Sequence, residues 1–236
     1  MINLIALIVN WIISLIKYPL AILMAILTYK LGLIFIDTVK FIYNHNSFYE
    51  PLFYGIGIYI ALWIFIFSSG KGSWFLTLEH ELTHVIFALL TFHKIVDFKA
   101  SNYSGGHTVF SGVSRGNWLI TIAPYFFPTF SMVIVGLLYF AKSSYYYILV
   151  AILGYSIIYH IHSTIEETSL SQPDIQEVGL LFAVLFLPGA NLLALIGLLS
   201  TIPNDKIEFN SIIVSLYDYL INLSQKFLPT IYHLFN

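Results

Sequence analysis

Cysteine is absent from this chain and charge is scarce. Without cysteine there are no disulfides, no thiolate zinc ligands and no thiol nucleophile, so any metal must be held by histidines and carboxylates. Charged residues make up 9% of the 236, against about 25% in ordinary soluble domains. Ten Lys+Arg against twelve Asp+Glu leave a formal net charge of −2. No basic block offers a nucleic-acid surface. Internal repeats and composition shifts are also missing, and one membrane domain over 1–236 is the simplest expectation. Apolar residues replace the charges: 58% of the chain is hydrophobic and the mean hydropathy is +0.85. This composition predicts an integral, multi-pass membrane protein in contact with the lipid bilayer, in the inner membrane if the source is bacterial.

One polar cluster interrupts the apolar sequence, Glu79-His80-Glu81-Leu82-Thr83-His84. It lies within residues 74–92, a run that otherwise reads as a helix. Helical spacing puts His80 and His84, at i and i+4, on one face, with Glu81 one step round. This is the H-E-x-x-H pattern, in which two imidazoles hold zinc and the glutamate deprotonates a bound water. Two histidines satisfied by neighbours in a helix bundle are the plainer alternative. Ionisable groups at membrane depth are costly and usually functional, which favours a metal site.

Around this helix the chain reads as further helices. Asn3, Asn10, Ser14 and Lys17 form a narrow polar stripe on an apolar N-terminal run;. Lys30, Asp37, Lys40 and Asn44 form a second stripe, as expected of an amphipathic helix at the membrane surface;. No basic leader or A-x-A-like site marks a cleaved signal peptide. A short apolar run at 52–67 precedes a turn at 68–73. After the motif helix, alternation around a Gly-Gly turn predicts a β-hairpin pairing 95–101 with 107–113. Residues 118–140 read as a span bent by Pro124 and Pro128;. Another span ends in Tyr159-His160-Ile161-His162, and a last apolar run reaches Leu199. In the tail, Glu208, Ser211, Ser215, Asp218, Asn222 and Gln225 draw one thin polar line on a greasy helix. That pattern predicts an interfacial helix with the line facing water, whose faces also allow oligomer contacts. The expected divisions are N-terminal helices (1–69), a core (70–199) and a C-terminal amphipathic helix (200–236).

A helix bearing His80-Glu81-Leu82-Thr83-His84, a short hairpin, a proline-containing helix and a later Asp174 together resemble the three-helix core of the site-2 protease metallopeptidases. The similarity is greatest to their compact branch without a PDZ domain, and it covers roughly residues 70–190. It implies an all-α polytopic membrane protein, a helical bundle with that core and a β-hairpin after the metal helix. It further implies an intramembrane zinc metalloprotease acting on membrane-embedded protein substrates, with Zn2+ held by His80, His84 and Asp174 and with Glu81 as general base. In that family the hairpin can pair with substrate.

The pattern is followed unevenly. The family's Leu-Asp-Gly setting becomes Gln172-Pro173-Asp174-Ile175, and the Asn expected three residues after Pro124 is Phe127. Asp174-Ile175-Gln176-Glu177 also reads as a capping box. His160, His162 and Glu166 are substitutes for the third ligand. Water reaching such a site would use Asn102, Arg115, Asn117 and the polar residues of 160–167. The departures leave two rivals to an enzyme: a catalytically silent membrane scaffold or regulator, and a metal transporter, which would need more intramembrane carboxylates.

Overall fold

The computed structural model describes residues 4–65, 73–101, 105–111, 117–202 and 209–235. The turn expected at 68–73 lies almost wholly outside these residues, and Asn102, Arg115 and Glu208 lie outside them entirely. In chain order the elements are α1 (Leu4–Asn44), α2 (Asn46–Phe65), α3 (Ser73–Leu90), β1 (Lys94–Ser101), β2 (Gly105–Ser111), α4 (Trp118–Ile122), α5 (Thr129–Phe140), α6 (Tyr146–Glu167), α7 (Pro173–Val178), α8 (Leu180–Ser200) and α9 (Phe209–Phe235). Among the described residues four helices are long and apolar enough to cross a membrane: α1, α2, α6 and α8. The α4–α5 pair, bent by 81°, adds a broken span. The protein is therefore an integral, multi-pass membrane protein. Its helical bundle, with a hairpin following the histidine-bearing helix, is the fold class expected from the sequence.

The N-terminal region is one helix of 41 residues with Pro19 inside it, not a span followed by a separate surface helix. At 1.5 Å per residue, α1 is about 60 Å long, roughly twice the hydrocarbon thickness of a bilayer. Of its first polar stripe, Asn10 and Lys17 meet protein, Ser14 is exposed, and Asn3 lies outside the described residues. Asn117 Nδ2 donates to Asn10 Oδ1 at 2.8 Å, Asn10 Nδ2 lies 3.1 Å from His93 Nε2, and Lys17 Nζ donates to the Val178 carbonyl at 2.7 Å. These bonds tie α1 to α4, to the start of the hairpin and to α7. The second stripe is exposed, with Lys40 and Asp37 3.8 Å apart at the surface.

Two glycine contacts bring α2 and α6 together backbone to backbone. A Cβ on Gly55 would lie 1.7 Å from the Ala151 carbonyl oxygen, and one on Gly154 2.2 Å from that of Leu52. Small residues allow such approach where no water is present to drive packing. Around the contact, Leu52, Val150, Leu153 and Ile157 form a buried cluster with Leu198 of α8. Gly189 brings α8 to α1 in the same way, its absent Cβ 2.7 Å from the Met24 carbonyl.

The broken span forms as its prolines require. Asn117 caps α4 through its side-chain oxygen, which accepts from the Ile120 amide at 3.4 Å. Pro124 then lies in a 3-10 turn at Ala123–Tyr125, and Pro128 precedes α5 without a side-chain cap of its own. The cap comes from another helix: Glu79 Oε1 accepts from the Phe130 amide at 3.0 Å. Glu79 is buried and so supplies an orphaned helix donor with its acceptor. Glu79→Ala is expected to lower stability by about 1–3 kcal/mol, a fall of about 2–4 °C in Tm per kcal/mol for a chain of this size. Thermal unfolding in detergent reads this directly, and an unchanged Tm would remove Glu79 from its capping role.

At its C-terminal end α3 turns sharply into the hairpin, with Phe92 in the left-handed region (φ 63°) and the His93 amide donating back to the Ala88 carbonyl at 2.8 Å;. β1 and β2 are antiparallel, Phe98 opposite Thr108, with a bulge between Ile95 and Asp97. The hairpin is as expected, with its second strand beginning two residues earlier, at Gly105, while residues 112 and 113 lie outside those described. In α9, Ile212 is buried in a cluster with Leu27 and Leu31 of α1, while Asp218 and Asn222 of the polar line are exposed.

Candidate metal centre

α3 carries His80 and His84 one turn apart, and α7 brings Asp174 against both. One atom of each residue lies within 4.8 Å of the other two, and this is the one such group among the described residues. His80 Nδ1 is 2.8 Å from Glu167 Oε2, and His84 Nδ1 is 2.9 Å from the Ile120 carbonyl oxygen. Both partners are acceptors, so each Nδ1 carries a proton, and the neutral form of each ring would present an Nε2 lone pair to Asp174;. Both Nε2 atoms stand 3.3 Å from Asp174 Oδ2, which also accepts from the Tyr125 hydroxyl at 3.2 Å.

Two imidazole lone pairs and a carboxylate oxygen therefore converge on one point. Added protons or a metal cation relieve that repulsion. Separations of 3.3 Å match the edge of a tetrahedron whose bonds are about 2.0 Å long, the zinc–nitrogen distance. The residues fit a divalent ion with nitrogen and oxygen ligands. Burial opposes the charged form of Asp174, but with protons shared between Nε2 and Oδ2, hydrogen bonds from the His80 and His84 rings outweigh burial and hold its carboxyl well below the usual range;.

The capping alternative for Asp174 is not what the structure shows. Gln172 stands at the cap of α7, Pro173 opens the helix and Asp174 lies in its first turn, with Oδ2 turned to the histidines. The other third-ligand candidates are elsewhere. His162 Nδ1 meets the Tyr59 hydroxyl at 2.7 Å and its Nε2 lies 3.6 Å from Glu166. His160 is buried without entering the cluster.

Glu81 also stays out of the cluster. Its Oε2 accepts from Thr108 Oγ1 of β2 at 2.5 Å, and the side chain is buried beneath the hairpin. A general base stands within hydrogen-bond reach of the water it deprotonates, and Glu81 Oε2 meets Thr108 instead. The expectation of a zinc metalloendopeptidase working through His80-Glu81-x-x-His84 is corrected accordingly: the group that could hold a metal is His80, His84 and Asp174, with no glutamate among them.

Two contributors were missed in the sequence. Glu167 was passed over for its neighbour Glu166, although 160, 164 and 167 share one helical face and 162 with 166 share another. Tyr125 follows Pro124 in the 3-10 turn, and only the bend in the broken span brings its hydroxyl to Asp174.

Comparison with known proteins adds a family. Residues 54–196 match the family described as Peptidase M50B-like. No curated protein and no solved structure matches the chain.

Proposed function

The chain belongs to the Peptidase M50B-like family, and from that premise we propose that it acts as a catalytically silent membrane scaffold or regulator. In this reading Zn2+ at His80, His84 and Asp174 is a structural tie. The observation that carries it is the Glu81–Thr108 hydrogen bond, which commits the motif glutamate to the hairpin. Phe127 supports it, because an apolar ring packed 5.0 Å from Phe87 stands where the family resemblance leads one to expect an asparagine. The ion would supply a cross-link, joining α3 to α7. Glu167 and the Ile120 carbonyl hold the two imidazoles from α6 and α4, so four segments meet at one seat. A ligand that binds only the folded state adds stability in proportion to its affinity.

The test uses the full chain in detergent and in membranes. Chelation is expected to lower Tm, and Glu81→Gln, which keeps an acceptor for Thr108, to retain both zinc and Tm. Neither protein is expected to cut a membrane-embedded reporter. A reporter cut by the wild type and spared by Glu81→Gln would overturn the scaffold reading.

A further inference from the structure

Three atoms stand around Asp174 Oδ2 at nearly one distance. His80 Nε2 and His84 Nε2 are each 3.3 Å away, and the Tyr125 hydroxyl is 3.2 Å away. Each corner of a tetrahedron has three neighbours at one edge length, and this length is the edge for bonds of about 2.0 Å. Asp174 Oδ2 therefore has the neighbours that one ligand of a four-coordinate ion would have, and one of them is a phenol. Histidine, aspartate and glutamate supply only three ligands among the described residues, so the fourth position falls to water or to another oxygen. Tyr125 is held in place to be that oxygen. It is 1% exposed, and its carbonyl accepts from Asn191 Nδ2 of α8 at 3.0 Å. Its ring meets the His80 imidazole edge to face, with centroids 5.2 Å apart and planes at 88°.

We propose that Tyr125 is the fourth ligand of the metal seat, binding the ion through its phenolate oxygen beside His80, His84 and Asp174. On binding, the phenol O–H bond breaks, the oxygen–metal bond forms and the proton leaves to solvent, since metal ligands bind deprotonated. This rests on the scaffold reading and deepens it. Structural zinc sites are closed by four protein ligands, whereas catalytic ones keep a position for water. A seat closed by Tyr125 has no position for a hydrolytic water, whatever Glu81 does.

Cu2+ exchanged into the zinc seat of the full-length protein in detergent tests this. Copper bound to a phenolate absorbs visible light by charge transfer and enhances tyrosine ring modes in the resonance Raman spectrum. Wild-type protein is expected to give both signatures. Tyr125→Phe keeps the ring against His80 and should lose both signatures, with Zn2+ affinity falling about tenfold or more in competition against a chelator. His84→Ala should lose them too, which locates the signal in the seat. Signatures that persist in either variant would overturn the ligand. So would their absence from wild-type protein whose zinc has been displaced by Cu2+, an outcome that leaves the seat itself standing. Wild-type protein that binds neither Zn2+ nor Cu2+ would overturn the seat and the structural tie along with the ligand.

Discussion

Purified His84→Ala protein is expected to carry no tightly bound zinc, with occupancy falling from about one ion per chain to background. The change removes one of three ligands and leaves the Ile120 carbonyl without the imidazole that it accepts from. Asp174→Asn is expected to do the same, since a neutral amide is a poor zinc ligand and the α7 cap is Gln172. Glu167→Gln is the graded case. All three ligands remain, but the carboxylate that holds His80 Nδ1 is gone, and affinity should drop about 10–100-fold. Glu177→Ala should change nothing. Competition against a chromophoric chelator separates these outcomes, and wild-type affinity in His84→Ala would mean that the seat does not hold the metal.

Gly55→Ala is expected to prevent the protein from folding, or to cost on the order of 3 kcal/mol or more. The added methyl would sit 1.7 Å from a backbone oxygen of α6, and no side-chain rotation relieves a clash between two backbones. α2 would have to move away, taking Tyr59 from His162 and opening the cluster around Leu52 and Leu153. Gly154→Ala should behave alike from the other helix. The control lies two residues along α2: Gly57 has nothing within 4 Å of its Cβ position, so Gly57→Ala should be neutral or stabilising by up to about 1 kcal/mol. Yields of monodisperse protein after detergent extraction, followed by thermal unfolding, report both effects. Equal behaviour of Gly55→Ala and Gly57→Ala would refute the close contact.

Local pattern carried the reading of the sequence a long way where the signal was periodic. The i, i+4 histidines, the alternating hairpin and the apolar spans follow from residue spacing alone, whereas Asp174 beside the histidines is what the resemblance to the site-2 proteases implies. Polar stripes were harder. Asn10 and Lys17 share a stripe whose partners its spacing does not name, and only the positions of Asn117 and Val178 supply them. Glu79 looked like part of the motif, yet its partner is an amide 51 residues away on a helix that follows proline. The Glu81 side chain was misjudged for the same reason: helical spacing gives its angle relative to the histidines but says nothing of a threonine folding over it from β2.

The bonds of α1 also bear on the order in which the protein can be made. Its partners arrive late. Asn10 waits for Asn117, Lys17 waits for the Val178 carbonyl, and the Met24 backbone waits for Gly189. Until α7 emerges from the ribosome, Lys17 is without the carbonyl that accepts from it, and an unpaired lysine at the bilayer centre would cost about 2.5–3.5 kcal/mol. The two side chains that tie the first helix into the native bundle therefore gain these partners only after most of the chain has been made.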